Sequence, residues 1–153
     1  MNKKTSLLYF AYGSNMSTKR LRERIPDARS VGIAVLKDYE FKCNKKSKDG
    51  SSKGNITPLN DALTWGVIFE LPDEAISILD KAESGYTRIT VCVSIGGQEM
   101  ESETYISQEI STEQPYDRYM NYIIEGAREH GLPEDYVLSL SQIKVKADKR
   151  NRK

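Results

Sequence analysis

Apolar positions along the chain alternate between a spacing of two residues and a spacing of about 3.6 residues, which predicts a mixed α and β domain. The first apolar run, residues 7–12, is dense in aromatic side chains and predicts a buried strand. Residues 17–25 are mostly polar and predict a short helix, because Ser17 can cap the first turn and Pro26 ends the helix. A buried strand therefore leads into a helix through a polar corner.

Two further strands are predicted on either side of a polar segment. Residues 31–43 carry Tyr39 and Phe41 at a spacing of two, which is typical of a strand. Residues 63–71 are strongly apolar and predict the third strand. The segment between them, residues 44–60, is rich in glycine, serine and lysine, so we expect a mobile loop there.

The middle of the chain predicts a helix followed by a hairpin. The helix begins at residue 73, directly after a proline, and runs to about residue 83. Residues 88–95 and 101–107 both alternate between apolar and polar positions, and Gly96 and Gly97 lie between them. Two glycines between alternating segments predict a tight β-turn, so these segments are expected to pair as a hairpin.

The last third of the chain predicts two helices and a tail. A long helix covers residues 115–130 and ends at Gly131, a residue that commonly caps helices in the left-handed conformation, and a short helix follows toward residue 140. The final ten residues, 144–153, include six lysines or arginines and predict a basic, flexible, solvated tail. We therefore predict a single domain formed by residues 1–143.

Composition and charge narrow the possible partners. The 153 residues are 38% hydrophobic and 29% charged, as in an ordinary globular domain. A net charge of +1 gives no electrostatic reason to expect a nucleic-acid or membrane partner. Cys43 and Cys92 match no zinc or redox spacing, which favours a reducing compartment. Since the sequence shows neither a signal peptide nor a membrane-spanning run, we expect a cytoplasmic protein. The sequence does not distinguish a monomer from a homodimer, and we expect one of the two.

Several classes of catalytic site become improbable by elimination. The single histidine, His130, precedes the predicted helix cap, where a cation interacts favourably with the helix dipole. A catalytic triad would have to recruit this one histidine, and a histidine-based metal site would lack its other ligands, so we expect neither a triad nor a metal. No glycine-rich phosphate-binding motif is found, and we expect no cofactor. Carboxylates and tyrosines remain as candidates.

Glu83 is the carboxylate that departs most from an ordinary surface position. On the predicted helix it shares a sector with Ile76 and Leu79, and therefore lies on an apolar face. Burial and the negative end of the helix dipole both raise a carboxylate pKa toward the range of a general base. The alternative is a frayed helix end in which Glu83 reaches a backbone N–H or Arg88 at the surface. Asp80 is the second candidate base.

The polar corner after the first strand is a candidate anion site. The backbone N–H groups of Gly13, Ser14 and Asn15 lie between a strand end and a helix start, where such donors have no helical partner. These donors can converge on an oxyanion or a carboxylate. The alternative is an ordinary turn, since turns favour the same residue types.

Four segments together resemble the gamma-glutamylcyclotransferase family in order and spacing. They are YFAYGSNM at residues 9–16, LDKAESGYTR at 79–88, ETYI at 103–106 and EGAREHGLPEDYVLSL at 125–140. The resemblance covers nearly the whole chain. It implies a small mixed β-barrel surrounded by helices, an α+β fold, and the conversion of a γ-glutamyl amide into 5-oxoproline and a free amine.

The resemblance also assigns roles to particular residues. It implies that Glu83 is the catalytic acid and base, acting on an amino group that the substrate itself supplies. The substrate-binding residues implied are Tyr12, Gly13, Ser14, Asn15, Tyr86, Tyr105 and Tyr119. For Tyr86 and Tyr119, packing in the core is the alternative. Met16, where the family commonly has leucine, the short connection between residues 44 and 64 and the basic tail depart from the family pattern.

Two other classes of function stay open at this stage. A non-catalytic binding or adaptor domain could use the same fold and pocket. A nucleic-acid or anionic-surface binder could use the lysines in and just before the predicted loop together with the tail, although neither segment interleaves aromatic residues with its charges. The lysines concerned are Lys42, Lys45, Lys46, Lys48 and Lys53. The amine that leaves the substrate is not specified by the sequence.

Overall fold

The computed structural model describes residues 5–149, which form a five-stranded closed barrel with four α-helices packed against it. This architecture confirms the predicted α+β barrel. The strands are β1 Ser6–Ala11, β2 Arg29–Lys46, β3 Ser52–Pro72, β4 Thr87–Ile95 and β5 Gln98–Ile106. The helices are α1 Thr18–Arg24, α2 Ile76–Ala82, α3 Asp117–His130 and α4 Glu134–Ser141.

The barrel has the strand order β1-β3-β2-β4-β5 and closes between its first and last strands. Neighbouring strands run antiparallel except at the closure, where Tyr9 of β1 pairs with Glu103 of β5 in parallel. A closed barrel has no exposed edge strand. The closure also brings the end of β1, and thus the polar corner, next to the end of β5.

Two apolar clusters hold the molecule together. One consists entirely of residues on or beside strands, including Phe10, Leu36 and Ile68, and fills the barrel. The other includes helix residues such as Leu21 and Met120 and lies between the barrel wall and the helices. Alternate residues of β1 therefore face opposite ways, and both faces are buried, because successive side chains of a strand point to opposite sides.

The prediction of a mobile loop at residues 44–60 is wrong. β2 and β3 form one long hairpin, paired from Arg29 with Glu70 to Lys46 with Ser52, and only residues 47–51 make the turn. Gly50 adopts a φ of 84° in that turn. The glycine and serine content of this segment suggested a loop, but pairing with β2 decides its conformation, since strand preference depends strongly on context.

The described part of the predicted tail is packed against the molecule. The backbone of Lys146 exchanges hydrogen bonds with Pro115 and Asp117 beside the start of α3. Asp148 is buried, with 5% of its surface exposed. The described part of the tail is therefore attached to the start of α3 at Lys146 and Asp148, while its other side chains are exposed. Residues 150–153 lie outside the described part of the chain.

The predicted helices and the β4–β5 hairpin are confirmed. Gly96 and Gly97 have φ angles of 54° and 84°, as the predicted turn requires, and Gly131 caps α3 with a φ of 74°. Ser17 caps α1 by accepting a hydrogen bond from the backbone of Arg20 at 3.4 Å. Within residues 5–149, no helix has both the length and the apolar character that crossing a membrane requires.

Candidate active site

All eight residues that the resemblance assigned to a site line one small pocket at the end of β1. The pocket, called the tyrosine pocket below, is also lined by three residues that the sequence analysis missed. Its walls are Tyr9, Tyr12, Gly13, Ser14, Asn15, Gly54, Glu83, Tyr86, Thr104, Tyr105 and Tyr119. The corner after β1, the end of α2, the β2–β3 hairpin, β5 and α3 each contribute a part.

Glu83 ends α2 and lies in the tyrosine pocket. Its backbone N–H bonds to the carbonyl of Leu79 at 2.8 Å, while its side chain accepts a hydrogen bond from Asn15 Nδ2 at 3.0 Å. Burial raises the pKa of Glu83 above its ordinary value, and the positive charge of Arg24 and the Asn15 hydrogen bond oppose part of this rise. The raised pKa agrees with the direction predicted from the helix periodicity.

Asn15 fixes the orientation of the carboxylate. Its Nδ2 donates both to Glu83 and, at 3.0 Å, to the hydroxyl of Tyr9, and only 5% of the residue is exposed. Within residues 5–149, its Oδ1 is buried without a hydrogen-bond partner. A buried acceptor without a partner is costly, and it is satisfied if a ligand supplies a donor.

The corner after β1 has free backbone donors. Gly13 precedes one turn of 3-10 helix, Ser14–Met16, whose first bond runs from the N–H of Met16 to the carbonyl of Gly13 at 3.0 Å. The N–H groups of Gly13, Ser14 and Asn15 bond to no other group within residues 5–149. They therefore remain available to an anion.

Two tyrosines hold the β2–β3 hairpin against the pocket through a single glycine. The N–H of Gly54 donates to the hydroxyl oxygen of Tyr119 at 2.8 Å, and the hydroxyl of Tyr86 donates to the carbonyl of Gly54 at 2.6 Å. Burial raises the pKa of both tyrosines, so both hydroxyls stay protonated. Because Tyr119 accepts from Gly54, its own proton remains available to a ligand.

The other tyrosine hydroxyls are engaged within the protein. Tyr12 donates to the backbone carbonyl of Tyr105 at 2.6 Å, and Tyr105 donates to Asp80 Oδ1 at 2.7 Å. Asp80 also lies 3.4 Å from Arg88, so it is a partner of Tyr105 and Arg88 and does not line the pocket. Arg88 thus pairs with the second candidate base, and the surface pairing of Glu83 with Arg88 is not observed.

Tyr9, Gly54 and Thr104 complete the pocket without having been predicted. Tyr9 is the residue of β1 that alternates with Phe10 and Tyr12, so the period-two pattern could have placed it on the helix-facing side. Thr104 lies within the quoted ETYI segment and donates to the carbonyl of Phe10 at 2.8 Å. Gly54 was assigned to the loop, and no local signal distinguishes it there.

A second cavity, of about 360 Å³, adjoins the tyrosine pocket and shares four of its walls, Ser14, Glu83, Tyr86 and Tyr119. We call it the basic chamber, because five cationic side chains line it. They are Arg20, Arg24, Lys45, Lys48 and Lys53, and Glu83 is the one carboxylate among its lining residues. Three of the lysines considered above as an anionic-surface patch therefore face this chamber.

Comparison with known proteins finds relatives that are described as gamma-glutamylcyclotransferases or as members of the AIG2-like family. Residues 64–140 match the AIG2-like family. A gamma-glutamylcyclotransferase of Bos taurus is 34% identical over 148 residues, which span 90% of this chain and 79% of that protein. Its counterpart in Mus musculus is 29% identical over 150 residues, with the same coverage of 90% and 79%. A solved structure of a gamma-glutamyl cyclotransferase superposes with a TM-score of 0.87 at 29% identity, covering 97% of this chain and 93% of that one.

Proposed function

The chain belongs to the gamma-glutamylcyclotransferase family, and we propose that this enzyme converts a γ-glutamyl amide or γ-glutamyl amino acid into 5-oxoproline and a free amine. One observation carries the proposal. The partly buried carboxylate of Glu83 is held by Asn15, 68 positions earlier in the chain, beside backbone donors that have no partner within residues 5–149. A base and an anion site thus lie together in one pocket.

The reaction needs a proton shuttle more than a protein nucleophile. The substrate α-nitrogen attacks its own γ-carbonyl carbon, forming the ring C–N bond, and the original amide C–N bond then breaks. The α-ammonium must first lose a proton, and the departing amine must gain one. No serine, cysteine or histidine nucleophile is required. This agrees with a pocket whose lining contains no cysteine or histidine and a single carboxylate, that of Glu83.

Glu83 is the proposed shuttle. It lies at the border between the tyrosine pocket and the basic chamber, so a γ-glutamyl unit in the pocket places its scissile amide beside the carboxylate. The carboxylate accepts the proton of the α-ammonium and returns it to the leaving amine. A well-placed acid or base of this kind contributes roughly 100- to 10,000-fold in rate. Asn15 Oδ1, a buried acceptor, is suited to orient the same ammonium group.

The free donors of the corner supply the complementary role. The amides of Gly13, Ser14 and Asn15 bind either the oxyanion that develops on the γ-carbonyl or the substrate α-carboxylate. Both groups are anions of similar size, and backbone donors between a strand and a helix suit either. The hydroxyl proton of Tyr119 is a further donor, since its oxygen lies 3.7 Å from the position that a Cβ on Gly13 would take. The tyrosine walls keep the substrate folded for intramolecular attack.

A non-catalytic binding domain of the same fold is not favoured. Such a domain would retain an anion site without any need for a buried carboxylate, whose desolvation is costly. A cytoplasmic location and a monomeric or homodimeric state stay predictions from the sequence.

The proposal is tested by incubating the purified protein with a panel of γ-glutamyl compounds and measuring the 5-oxoproline released. The panel contains γ-glutamyl amino acids, γ-glutamyl dipeptides and a γ-glutamyl alkylamide. We expect release from at least one compound, at the same rate after dialysis against a metal chelator. No release from any member would contradict the proposed function, and loss of release on chelation would contradict the proton-shuttle mechanism.

A further inference from the structure

The basic chamber adjoins the reacting bond on the side where the amine departs. The inference drawn from it rests on the proposed function, in which the γ-glutamyl unit occupies the tyrosine pocket. The two cavities share the corner at Ser14, the carboxylate of Glu83 and the rings of Tyr86 and Tyr119. A substrate that places its glutamyl unit in the pocket therefore extends its leaving amine into the chamber.

Two separate elements supply the positive charge of the chamber. Arg20 and Arg24 are four residues apart on α1 and therefore lie on the same helix face. The lysines come from the end of the β2–β3 hairpin. Arg24, Lys45 and Arg20 are close enough to Glu83 to act on its charge.

Most of these cations have no direct ion-pair partner within residues 5–149, although Glu109 Oε2 comes near Lys45 Nζ beside Gly85. Lys53 pairs with Asp49 at 3.4 Å. Within residues 5–149, no carboxylate lies within ion-pair distance of Arg20, Arg24, Lys45 or Lys48. Arg20 lies 4.2 Å from the ring centre of Tyr122, and its buried Nε has no hydrogen-bond partner in the same part of the chain.

The number of cations exceeds what one carboxylate needs. An ordinary amino acid brings a single carboxylate to the leaving side, and one or two cations suffice to bind it. Four cations without an ion-pair partner among residues 5–149, in a cavity of about 360 Å³, leave charge and space for a second anionic group. A leaving group with a cationic side chain would be repelled.

We propose that the basic chamber is a leaving-group subsite that favours amines carrying two carboxylates, so that γ-glutamyl derivatives of acidic amino acids are the preferred substrates. Among substrates of equal length, preference follows the charge of the leaving side chain. γ-Glutamyl-glutamate is turned over better than γ-glutamyl-glutamine, and γ-glutamyl-lysine, linked through the lysine α-nitrogen, is turned over least.

The size of the preference is limited by solvent. The chamber is open to solvent, and each exposed ion pair contributes only a few-fold at most, so two or three pairs predict a preference of roughly 10-fold in kcat/KM. The preference shrinks as salt is added, because the Debye length falls from about 30 Å at 0.01 M to about 3 Å at 1 M.

The test compares kcat/KM for γ-glutamyl-glutamate and γ-glutamyl-glutamine at low and high ionic strength. Glutamine matches the size of glutamate and lacks only the second charge. We expect a ratio of about 10 at low salt that declines toward 1 at high salt. If the γ-glutamyl-glutamine is turned over and the kcat/KM ratio is 1 at low salt, the proposed subsite is overturned and the proposed function is unaffected. Absence of 5-oxoproline from both substrates, while another γ-glutamyl compound of the panel is turned over, would also overturn the subsite. Absence of release from every compound would instead overturn the proposed function.

Two variants assign the preference to the chamber. Arg24→Gln and Lys48→Gln each remove one cation at an exposed residue of the chamber, and each is expected to lower the glutamate-to-glutamine ratio about 3-fold. Lys37→Gln and Lys144→Gln are matched controls, since both lysines are exposed and line neither cavity. A ratio that falls equally in the controls, or that stays at its parent value in both chamber variants, would contradict the assignment.

Discussion

At the scale of single residues, the site depends on how Asn15 and Glu83 act on each other. Asn15 has one amide nitrogen that serves two acceptors, Glu83 Oε1 and the Tyr9 hydroxyl, at 3.0 Å each. This nitrogen stabilises the ionised carboxylate and so offsets part of the cost of its burial. The same bond fixes the carboxylate against the free amides of the corner. One side chain therefore orients the proposed base and also contributes to its pKa, which burial raises and Arg24 helps to lower.

We predict that Asn15→Ala lowers kcat/KM by roughly 10- to 100-fold, because a hydrogen bond to a charged group contributes about 1.5 to 3 kcal/mol. It also shifts the pH profile. The Asn15 bond lowers the pKa of Glu83, so its removal raises that pKa, and the acidic limb of kcat/KM moves to higher pH. The measurement is a pH–rate profile of both proteins. Asn121→Ala, at an exposed position of α3, should leave the limb in place, and an unshifted limb in a folded Asn15→Ala would contradict this role.

The sequence could predict these residues one by one but could predict few of their contacts. Helix periodicity placed Glu83 on an apolar face, and the turn chemistry of Gly13 to Asn15 indicated free donors, because both signals are local. The hydrogen bond between Asn15 and Glu83 spans 68 positions, and no local pattern encodes it. The two hydrogen bonds that join Gly54 to Tyr86 and Tyr119 could not be predicted for the same reason.

At the scale of elements, the polar corner is held in place by α3. Gly126 lies where this helix crosses the corner, and a Cβ at that position would come within 2.6 Å of the Ser17 nitrogen and 2.8 Å of Met16. The Ser17 nitrogen and the Met16 carbonyl carbon are backbone atoms, which cannot move away by a side-chain rotation. Glycine is therefore required for the helix to approach the segment that carries Ser14 and Asn15.

We predict that Gly126→Ala destabilises the protein and lowers activity. Alanine gains about 1 kcal/mol in helix propensity, but overpacking against backbone costs about 1 to 3 kcal/mol, so the steric effect is expected to exceed the gain. Urea unfolding gives the stability, and 5-oxoproline release gives the activity. Gly32→Ala is the matched control, because a Cβ there meets Ile95 at an ordinary 3.8 Å. An active Gly126→Ala protein of raised stability would show that α3 does not press on the corner.

Helices and turns could be predicted where the local sequence alone determines their conformation. The helix caps and the Gly96–Gly97 turn were confirmed because their chemistry is local. The glycine, serine and lysine content of residues 44–60 predicts a loop, yet most of these residues extend the β2–β3 hairpin. In this part of the hairpin, Ser52 and Asn55 are buried, and their side chains donate hydrogen bonds to backbone carbonyls of distant segments. Amino-acid composition does not indicate that polar residues of a strand make such bonds.

At the scale of the whole molecule, barrel closure brings the site together. Pairing of β1 with β3 and β5 positions the corner, while the connection from α2 into β4 brings Glu83 to the same end of the barrel. The resemblance of four sequence segments to a family implied this barrel, and periodicity alone gave only a mixed domain. The basic chamber arises only in the folded molecule, because α1 and the β2–β3 hairpin are far apart along the chain.

The most direct test is the rate of 5-oxoproline release by Glu83→Gln. The substitution keeps the size of the side chain and an oxygen that can accept from Asn15, but it removes the proton-accepting carboxylate. We predict that kcat/KM falls by at least about 100-fold while thermal unfolding shows a folded protein. Glu125→Gln, at an exposed position of α3, should retain the parent rate. A folded Glu83→Gln protein that releases 5-oxoproline at the parent rate would contradict the assignment of Glu83 as the shuttle.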